Sequence, residues 1–107
     1  MRIPEPTFIA SQRLVWIKAD GSETEVVASV GVPYGDGGGT FFCPVELLGV
    51  DGRYPDIGGE GSLQALSLAI RLLSTRLGHL LASGERLVHP ADRSPWSADS
   101  LRAVFGA

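Results

Sequence analysis

The sequence is poor in cysteine, with Cys43 as the only one among 107 residues. One thiol cannot form a disulfide within the chain, and it excludes a zinc site built from four cysteines. No second histidine or cysteine stands at ligand spacing from His79 or His89, so the sequence predicts neither a metal nor another cofactor. Because a chain without disulfides suits a reducing compartment, we expect a cytoplasmic protein.

Positive charge is also scarce. Nine Lys and Arg residues are outnumbered by twelve Asp and Glu residues, which gives a net charge of -3. The basic residues are scattered, whereas phosphate-driven binding of nucleic acid needs them clustered on one face. A protein partner with a basic surface therefore fits this chain better than a nucleic acid does.

Long hydrophobic runs are missing as well, because Arg71 interrupts the longest apolar stretch. The uninterrupted apolar stretches on either side of Arg71 are shorter than the roughly 18 to 20 residues needed to cross a bilayer. The stretch Met1–Phe8 contains prolines and an acid where a signal peptide needs an unbroken apolar core. We therefore expect a soluble protein that binds no membrane.

Glycine and proline are plentiful by contrast, with 14 and 7 residues, and they divide the chain into short elements. Apolar residues alternate in Phe8–Lys18, Glu23–Val32 and Thr40–Leu48, as in half-buried strands. A weaker extended segment begins at Tyr54. These patterns predict an antiparallel sheet of about four strands, with Pro44 marking an edge or a bulge in the third.

A long helix is predicted from Leu63 to Leu81, behind a cap at Ser62, where apolar residues recur at intervals of three and four. The residues expected to face the sheet are Leu63, Leu66, Ile70, Leu73, Leu77, Leu80 and Leu81. Leu68 and Leu72 widen the apolar arc beyond what one sheet covers. Either a short capped helix in Ser97–Phe105 covers this flank, or Leu68 and Leu72 form the seam of a homodimer.

These elements assemble into one domain, because a chain of this length supports a single hydrophobic core. We expect residues 1–107 to form a single α+β domain, with an antiparallel sheet packed on one long helix. A last strand in Arg86–His89 and the short C-terminal helix complete the predicted fold.

Ser62, which opens the long helix, has two interpretations. As an N-cap, its hydroxyl would accept a backbone N–H of the first turn. A Ser-Leu pair at a helix start also resembles the attachment site of acyl carrier proteins, where the serine carries a phosphopantetheine arm. That family has an acid before the serine and an acidic helix after it, whereas here Gly61 precedes Ser62 and the helix carries Arg71 and Arg76. We therefore predict a cap and no prosthetic group.

The loops before the helix contain glycines and acids. Gly35–Gly39 lacks the lysine and hydroxyl of a P-loop, and a strand follows it instead of a helix, so we expect a hairpin tip. Asp36, Asp51, Asp56 and Glu60 lie in the same region of the sequence. If the fold brings them together, they form an acidic rim that binds a partner, and otherwise they are solvated turn residues.

Trp96 lies in a polar, proline-containing segment near the C-terminus. A tryptophan there either fastens the tail to the domain or meets another protein, since tryptophan is enriched at interface hot spots. We assign it to partner binding together with the four acids. No nucleophile elbow of the GxSxG type occurs, so the sequence predicts no catalytic residue.

The helix start Gly61–Ile70, GSLQALSLAI, follows the predicted strands and the segment Phe42–Val45, FCPV. In this arrangement the chain resembles an uncharacterised group of small bacterial α+β proteins. In that group a glycine-rich lead and an Asp-Ser-Leu-Gln-Ala-Leu-like helix start follow a β-meander. The resemblance spans about Phe8 to His89. It implies the fold of the group, and no activity comes with it. Gly61 stands where the group has an acid.

The net charge and the missing catalytic motif together predict a non-enzymatic protein-binding module. By analogy with other small bacterial α+β proteins, its specific form would be an immunity or antitoxin protein that covers a basic surface of a toxin. The alternative is a small enzyme or small-ligand-binding domain, with a site between Gly35–Gly39 and the helix start at Ser62. A deep pocket there would favour the alternative, and a flat surface would favour protein binding.

Overall fold

The computed structural model describes residues 2–106, which form two antiparallel sheets and two helices. The strands are β1 (Phe8–Ile17), β2 (Glu23–Gly31), β3 (Tyr34–Gly35), β4 (Phe41–Cys43), β5 (Val45–Leu48), β6 (Gly52–Arg53), β7 (Ile57–Gly59) and β8 (Arg86–Val88). The helices are α1 (Ser62–Ala82) and α2 (Ala98–Phe105). The α+β class, the long helix and the short C-terminal helix are confirmed.

The strands form two sheets, where the sequence predicted one of about four strands. The first, sheet A, has five strands in the order β6-β5-β2-β1-β8. The second, sheet B, has three strands in the order β3-β4-β7. Sheet B lies beside the start of α1, and its position decides where the loops and their acids are found.

The second sheet arises because the third predicted strand, Thr40–Leu48, is interrupted at Pro44. The residues after Pro44 form β5 and pair with β2 in sheet A, while those before it form β4 and pair with β3 in sheet B. Pro33 interrupts the opposite side of this long hairpin, between β2 and β3. Because neither proline has an N–H to donate, the hairpin bends here from one sheet into the other.

The core is formed by alternating strand residues packed on α1, as the sequence pattern predicted. The buried apolar side chains of sheet A are those of Leu14, Val26, Ala28, Val30, Val45, Leu47, Leu87 and Val88. Val32 was expected to continue the buried face of β2, but it is 45% exposed. The bend before β3 carries Val32 out of the sheet.

Helix α1 begins and ends close to its predicted limits, but its buried face is rotated. Leu63, expected to face the sheet, is 79% exposed, whereas Ala65 and Ala69 are fully buried. The end of β7 approaches α1 so closely that a Cβ added to Gly59 would lie 2.6 Å from the backbone N of Ala65. Small residues on both elements permit this contact, and the helix therefore turns Leu63 towards solvent.

Helix α2 packs against α1, so the tail covers part of the flank that the sheets leave open. Ser97 caps α2, since its hydroxyl accepts the N–H of Ser100 and its own N–H donates to the Ser100 hydroxyl. Leu101 is buried in this contact, whereas Leu68 and Leu72 are half-buried on α1. Their assignment to a homodimer seam stays a prediction.

By its length and composition alone, α1 is long and apolar enough to cross a membrane. No other helix within residues 2–106 meets this criterion. The core helix of a soluble domain meets the same criterion. In this fold the apolar residues of α1 have a packing role, because Ala65, Ala69, Leu73, Leu77 and Leu80 belong to the core.

Candidate functional site at the end of sheet B

Sheet B brings the glycine-rich loop and the start of α1 to the same end. Gly35 pairs with Phe41, and Phe41 pairs with Gly59. Because β3 and β7 run in the same direction on either side of β4, Asp36 and Glu60 both follow at this end of the sheet. Two strand spacings separate them, about 10 Å. The fold therefore brings together two of the four acids of the predicted rim.

The Gly35–Gly39 loop is a hairpin tip, as predicted. The N–H of Asp36 donates to the carbonyl of Thr40 at 3.1 Å. In return, Oδ1 of Asp36 accepts the N–H groups of Gly38 at 2.7 Å and Thr40 at 3.3 Å. The Asp36 carboxylate thus accepts the backbone N–H groups that a phosphate bound in such a loop would accept.

Ser62 does not cap α1, which corrects the sequence prediction. The N-cap residue is Gly61, and no side chain makes a capping hydrogen bond there. Gly61 already has the extended backbone of a cap, with φ -152° and ψ 170°, so Ser62 is the first helical residue. Oε1 of Gln64 accepts the N–H of Glu60 at 2.7 Å and ties the incoming chain to the first turn.

Leu63 completes this end of the sheet. Its side chain is 79% exposed, a larger fraction than for any other large hydrophobic residue among residues 2–106. Asp36 and Glu60 are also exposed. These three residues, Asp36, Glu60 and Leu63, are called the sheet B tip below. The tip combines an apolar side chain with two carboxylates on the surface.

The sequence did not identify Leu63 as a surface residue, because the helical spacing placed it with the core leucines. A signal was available in Ala65 and Ala69, whose spacing of four defines an alternative face of the same helix. Small residues there permit a close neighbour, but the neighbour itself, Gly59, is identified only in the folded chain. Gln64, which holds the incoming chain, was likewise given no specific role from the sequence.

Asp56 lies at the opposite end of β7 and is separate from the tip. Its side chain is fully buried. It accepts hydrogen bonds from Tyr34 Oη at 2.5 Å, Arg53 Nη2 at 2.7 Å and the N–H of Ile3 at 2.9 Å. These four residues are called the Asp56 cluster. Because its carboxylate is enclosed by its own chain, Asp56 has no surface to offer a partner in this conformation.

The charge state of the Asp56 cluster follows from these contacts. Burial by itself raises the pKa of Asp56, but the hydrogen bonds from Tyr34, Arg53 and Ile3 outweigh it, and the pKa lies below its usual value. Burial and the bond to the carboxylate raise the pKa of Tyr34 to about 12. Asp56 is therefore charged at neutral pH and connects the N-terminal segment, β3 and β6.

Asp51 is also engaged within the chain. It accepts hydrogen bonds from Arg76 Nε at 2.7 Å and Tyr54 Oη at 2.5 Å. The hydrogen bond from Arg76 lowers the pKa of Asp51, and burial raises the pKa of Tyr54. Since Arg76 belongs to α1, this pair fastens the turn between β5 and β6 to the helix.

Trp96 is 4% exposed and fastens the tail to the domain. Its ring stacks on His89 with a centroid distance of 4.1 Å and approaches Phe105 at 6.4 Å. Its backbone N–H donates to the carbonyl of Leu87 in β8 at 2.9 Å. The structure therefore shows the first of the two roles considered for Trp96. Its role in partner binding stays a prediction, and the tail would have to open for it.

The remaining reactive groups do not gather at the tip. Within residues 2–106, no three His, Cys, Asp or Glu side chains are arranged to hold a metal ion. Cys43 is fully buried, with Sγ 3.4 Å from the carbonyl oxygen of Gly31. Burial raises the pKa of this thiol, which keeps it in its less reactive protonated form.

The cavities that we describe lie away from the tip. One of about 730 Å³ is found between α1 and α2, where Arg71, Thr75, Gly78 and Arg102 contribute to its wall. Another of about 150 Å³ lies between β1, α1 and α2. Neither is lined by Asp36, Glu60 or Ser62.

Comparison with known proteins assigns the chain to a family. A family model described as a domain of unknown function, DUF6968, matches residues 11–99, a range that includes both sheets and α1. Neither a curated protein nor a solved structure matches the chain. The expectation of an uncharacterised family is confirmed at this level, while its bacterial origin and its helix-start motif stay predictions.

Proposed function

We propose that this chain, which belongs to the DUF6968 family, is a non-enzymatic protein-binding module that uses the sheet B tip. The observation that carries the proposal is the 79% exposure of Leu63, which follows Glu60 by three residues at the end of sheet B where the exposed Asp36 also lies. Protein interfaces typically have an apolar centre within a polar rim. Leu63 would supply the centre, and Asp36 and Glu60 would supply the rim.

Charge supports a basic partner for the tip. Asp51 and Asp56 are neutralised by Arg76 and Arg53. Asp36 and Glu60, by contrast, are absent from the ion pairs that residues 2–106 form with one another. Their charge is therefore available to lysine or arginine side chains of a partner, which affects the rate of association and its dependence on salt.

The specific form of this proposal is an immunity- or antitoxin-type inhibitor that covers a basic surface of a toxin. It rests on analogy with small α+β proteins of that kind. The alternative, an enzyme or small-ligand domain, would use the same end of sheet B. The two cavities described above lie elsewhere, and this favours protein binding over a ligand site at the tip.

The proposal is tested by comparing partner capture by three immobilised proteins in an extract of the source cells. These are the wild type, Leu63→Lys, and the control Leu48→Lys, whose side chain is 45% exposed on β5. We expect a protein retained in stoichiometric amount by the wild type and by the control. Leu63→Lys should bind it at least tenfold more weakly, a difference of about 1.4 kcal/mol.

The acids are tested with the double variant Asp36→Asn, Glu60→Gln on the same captured protein. We expect weaker binding at low salt and a smaller decrease in binding as salt is added, because two charges that attract the partner are removed. Retention of no protein by the wild type would refute the proposal. Equal retention by all variants would show that a partner binds elsewhere on the chain.

A further inference from the structure

Helix α2 runs back along α1, in the opposite direction. Its start is held near the end of α1, because the N–H of Trp96, just before α2, donates to Leu87 in β8. Its end lies beside an earlier part of α1, since Phe105 and Ile70 line the same cavity of about 150 Å³. The two helices therefore form the walls of a groove between them.

This groove is the cavity of about 730 Å³ described above, and it is called the helix groove below. On α1, Arg71, Thr75 and Gly78 line it from successive turns, at spacings of four and three. On α2, Leu101 and Arg102 line the opposite wall. Because the helices are antiparallel, the two arginines lie towards the same end. Small-molecule sites commonly have volumes of roughly 300 to 1,000 Å³.

The positive charge at this end of the helix groove is available to a ligand. Among residues 2–106, no carboxylate forms an ion pair with Arg71. Arg102 pairs with Asp99, but their side chains are 63% and 89% exposed. Exposed ion pairs contribute little to stability, so Arg102 can exchange Asp99 for another anion at small cost. Two guanidinium groups together provide the forked N–H donors that hold a carboxylate or a phosphate.

Gly78 keeps the middle of the helix groove open. A glycine inside a helix is destabilising relative to alanine. At Gly59, close packing requires the glycine, because an added Cβ would lie 2.6 Å from the backbone N of Ala65. At Gly78, apart from its neighbours and its own stretch of helix backbone, an added Cβ would meet no described atom within 4 Å. Packing within the chain therefore does not explain Gly78, whereas an occupant of the groove does.

We propose that the helix groove binds a small organic anion that has an apolar body. Its carboxylate or phosphate would contact Arg71 and Arg102, and its apolar body would lie beside Gly78 and Leu101. A neutral molecule would leave the guanidinium groups unused, and a bare anion would leave the apolar wall in water. The walls are short, because α2 has only eight residues and is about 12 Å long. This length suits a small molecule better than a partner helix.

Calorimetric titration of the full chain with octanoate and with octyl phosphate tests this proposal. Octanol, which lacks the charge, and inorganic phosphate, which lacks the apolar body, are the controls. We expect at least one of the two amphipathic anions to bind at one site per chain, at least tenfold more tightly than either control. The better anion identifies the head group. Each CH₂ removed from its chain should weaken binding by up to about fourfold.

The charge is tested with Arg71→Gln, which keeps much of the side chain and removes the guanidinium group. We expect the better anion to bind at least tenfold more weakly, because a hydrogen bond to a charged group is lost. Arg86→Gln is the matched control. Arg86 is exposed on β8, and within residues 2–106 it also forms no ion pair. Its substitution should leave binding unchanged.

The space is tested with Gly78→Leu, which places a side chain in the helix groove. We expect binding of the better anion to weaken at least tenfold. The midpoint of urea unfolding should rise at the same time, because leucine is a better helix former than glycine and the space is open. Weaker binding by a more stable protein cannot result from unfolding.

Three results would overturn the proposal. The first is that neither amphipathic anion binds, and the second is that each binds no more tightly than the controls. The third is that Arg71→Gln and Gly78→Leu bind like the wild type. If neither anion binds but the wild type captures an acidic protein that Arg71→Gln does not, the groove is a protein interface instead.

This inference is independent of the proposed function. The helix groove begins at Arg71, about two helical turns after Leu63 in the sheet B tip. Leu63→Lys should therefore leave binding of the anion intact, and Gly78→Leu should leave capture of the partner by the tip intact. Loss of both properties in one variant would indicate unfolding, which circular dichroism of the same sample would detect.

Discussion

The two sheets of this domain are stabilised in different ways. In sheet A, the central strands β1 and β2 are ten and nine residues long and bury alternating apolar side chains against α1. In sheet B, no strand exceeds three residues. Its stability depends on the Asp56 cluster at one end and on the contact between Gly59 and Ala65 at the other.

This difference connects stability to the proposed function. Long apolar strands form a sheet from many weak contacts, whereas a short sheet depends on a few specific ones. The tip that we propose to bind a partner belongs to the short sheet. Substitutions in the buried core of sheet A should therefore destabilise the whole domain, and substitutions at the contacts that hold sheet B in place should also disturb the tip.

The largest effect is expected from Leu14→Ala in the centre of sheet A. Leu14 is fully buried, and its removal leaves a cavity as well as losing apolar burial. We expect the free energy of unfolding to fall by about 3 to 4 kcal/mol. Urea denaturation followed by tryptophan fluorescence measures this. The control Leu48→Ala, on the exposed side of β5, should cost less than about 1 kcal/mol. Equal losses would contradict the division between core and surface in sheet A.

The next effect is expected from Asp56→Asn in sheet B. Asparagine keeps the shape of the side chain but leaves the positive charge of Arg53 without its partner. We expect a loss of about 2 to 3 kcal/mol at neutral pH, since removing one member of a buried ion pair is costly. Glu60→Gln is the matched control, because Glu60 is exposed, and it should change stability by less than about 0.5 kcal/mol.

The same pair of variants makes a prediction about acid. The pKa of Asp56 is lower in the folded chain than in the unfolded chain, so the unfolded chain takes up the proton first as the pH falls. The stability that Asp56 contributes is therefore complete above a pH of about 4 and is lost as the pH falls through the folded pKa. Asp56→Asn should flatten this acid-dependent loss. An unchanged pH profile would show that Asp56 is not charged in the folded protein.

Local patterns of the sequence predicted much of this fold. Alternation identified Val26, Ala28 and Val30 as buried, and three- and four-residue spacing identified α1. Ser97 was recognised as a cap because capping involves only neighbouring residues. Each of these features depends on interactions within a few residues or on a simple period.

The parts that the sequence did not reveal depend on distant contacts. Pro44 was expected to disturb one strand, but it acts together with Pro33 on the opposite side of the hairpin to divide the sheet. In the sequence, Asp56 looks like the other loop acids. Its burial depends on a hydrogen bond from Tyr34, which lies 22 residues earlier in the chain. Of the predicted rim, only Asp36 and Glu60 meet at one end, because strand register places them there.

The smallest effect is expected where sheet B meets α1. A Cβ added to Gly59 would lie 2.6 Å from the backbone N of Ala65, and backbone cannot move aside as a flexible side chain can. We expect Gly59→Ala to lower the free energy of unfolding by about 1 to 2 kcal/mol. In Gly58→Ala, the control, the added Cβ would be 3.3 Å from the ring of Phe42, which can shift, so the loss should be smaller.

Because the first turn of α1 carries Leu63, Gly59→Ala should also weaken capture of the partner at temperatures where the domain is still folded, and Gly58→Ala should not. If both glycine variants bind the partner like the wild type, the position of the helix start does not control the tip, and binding depends on Leu63 and the two carboxylates alone.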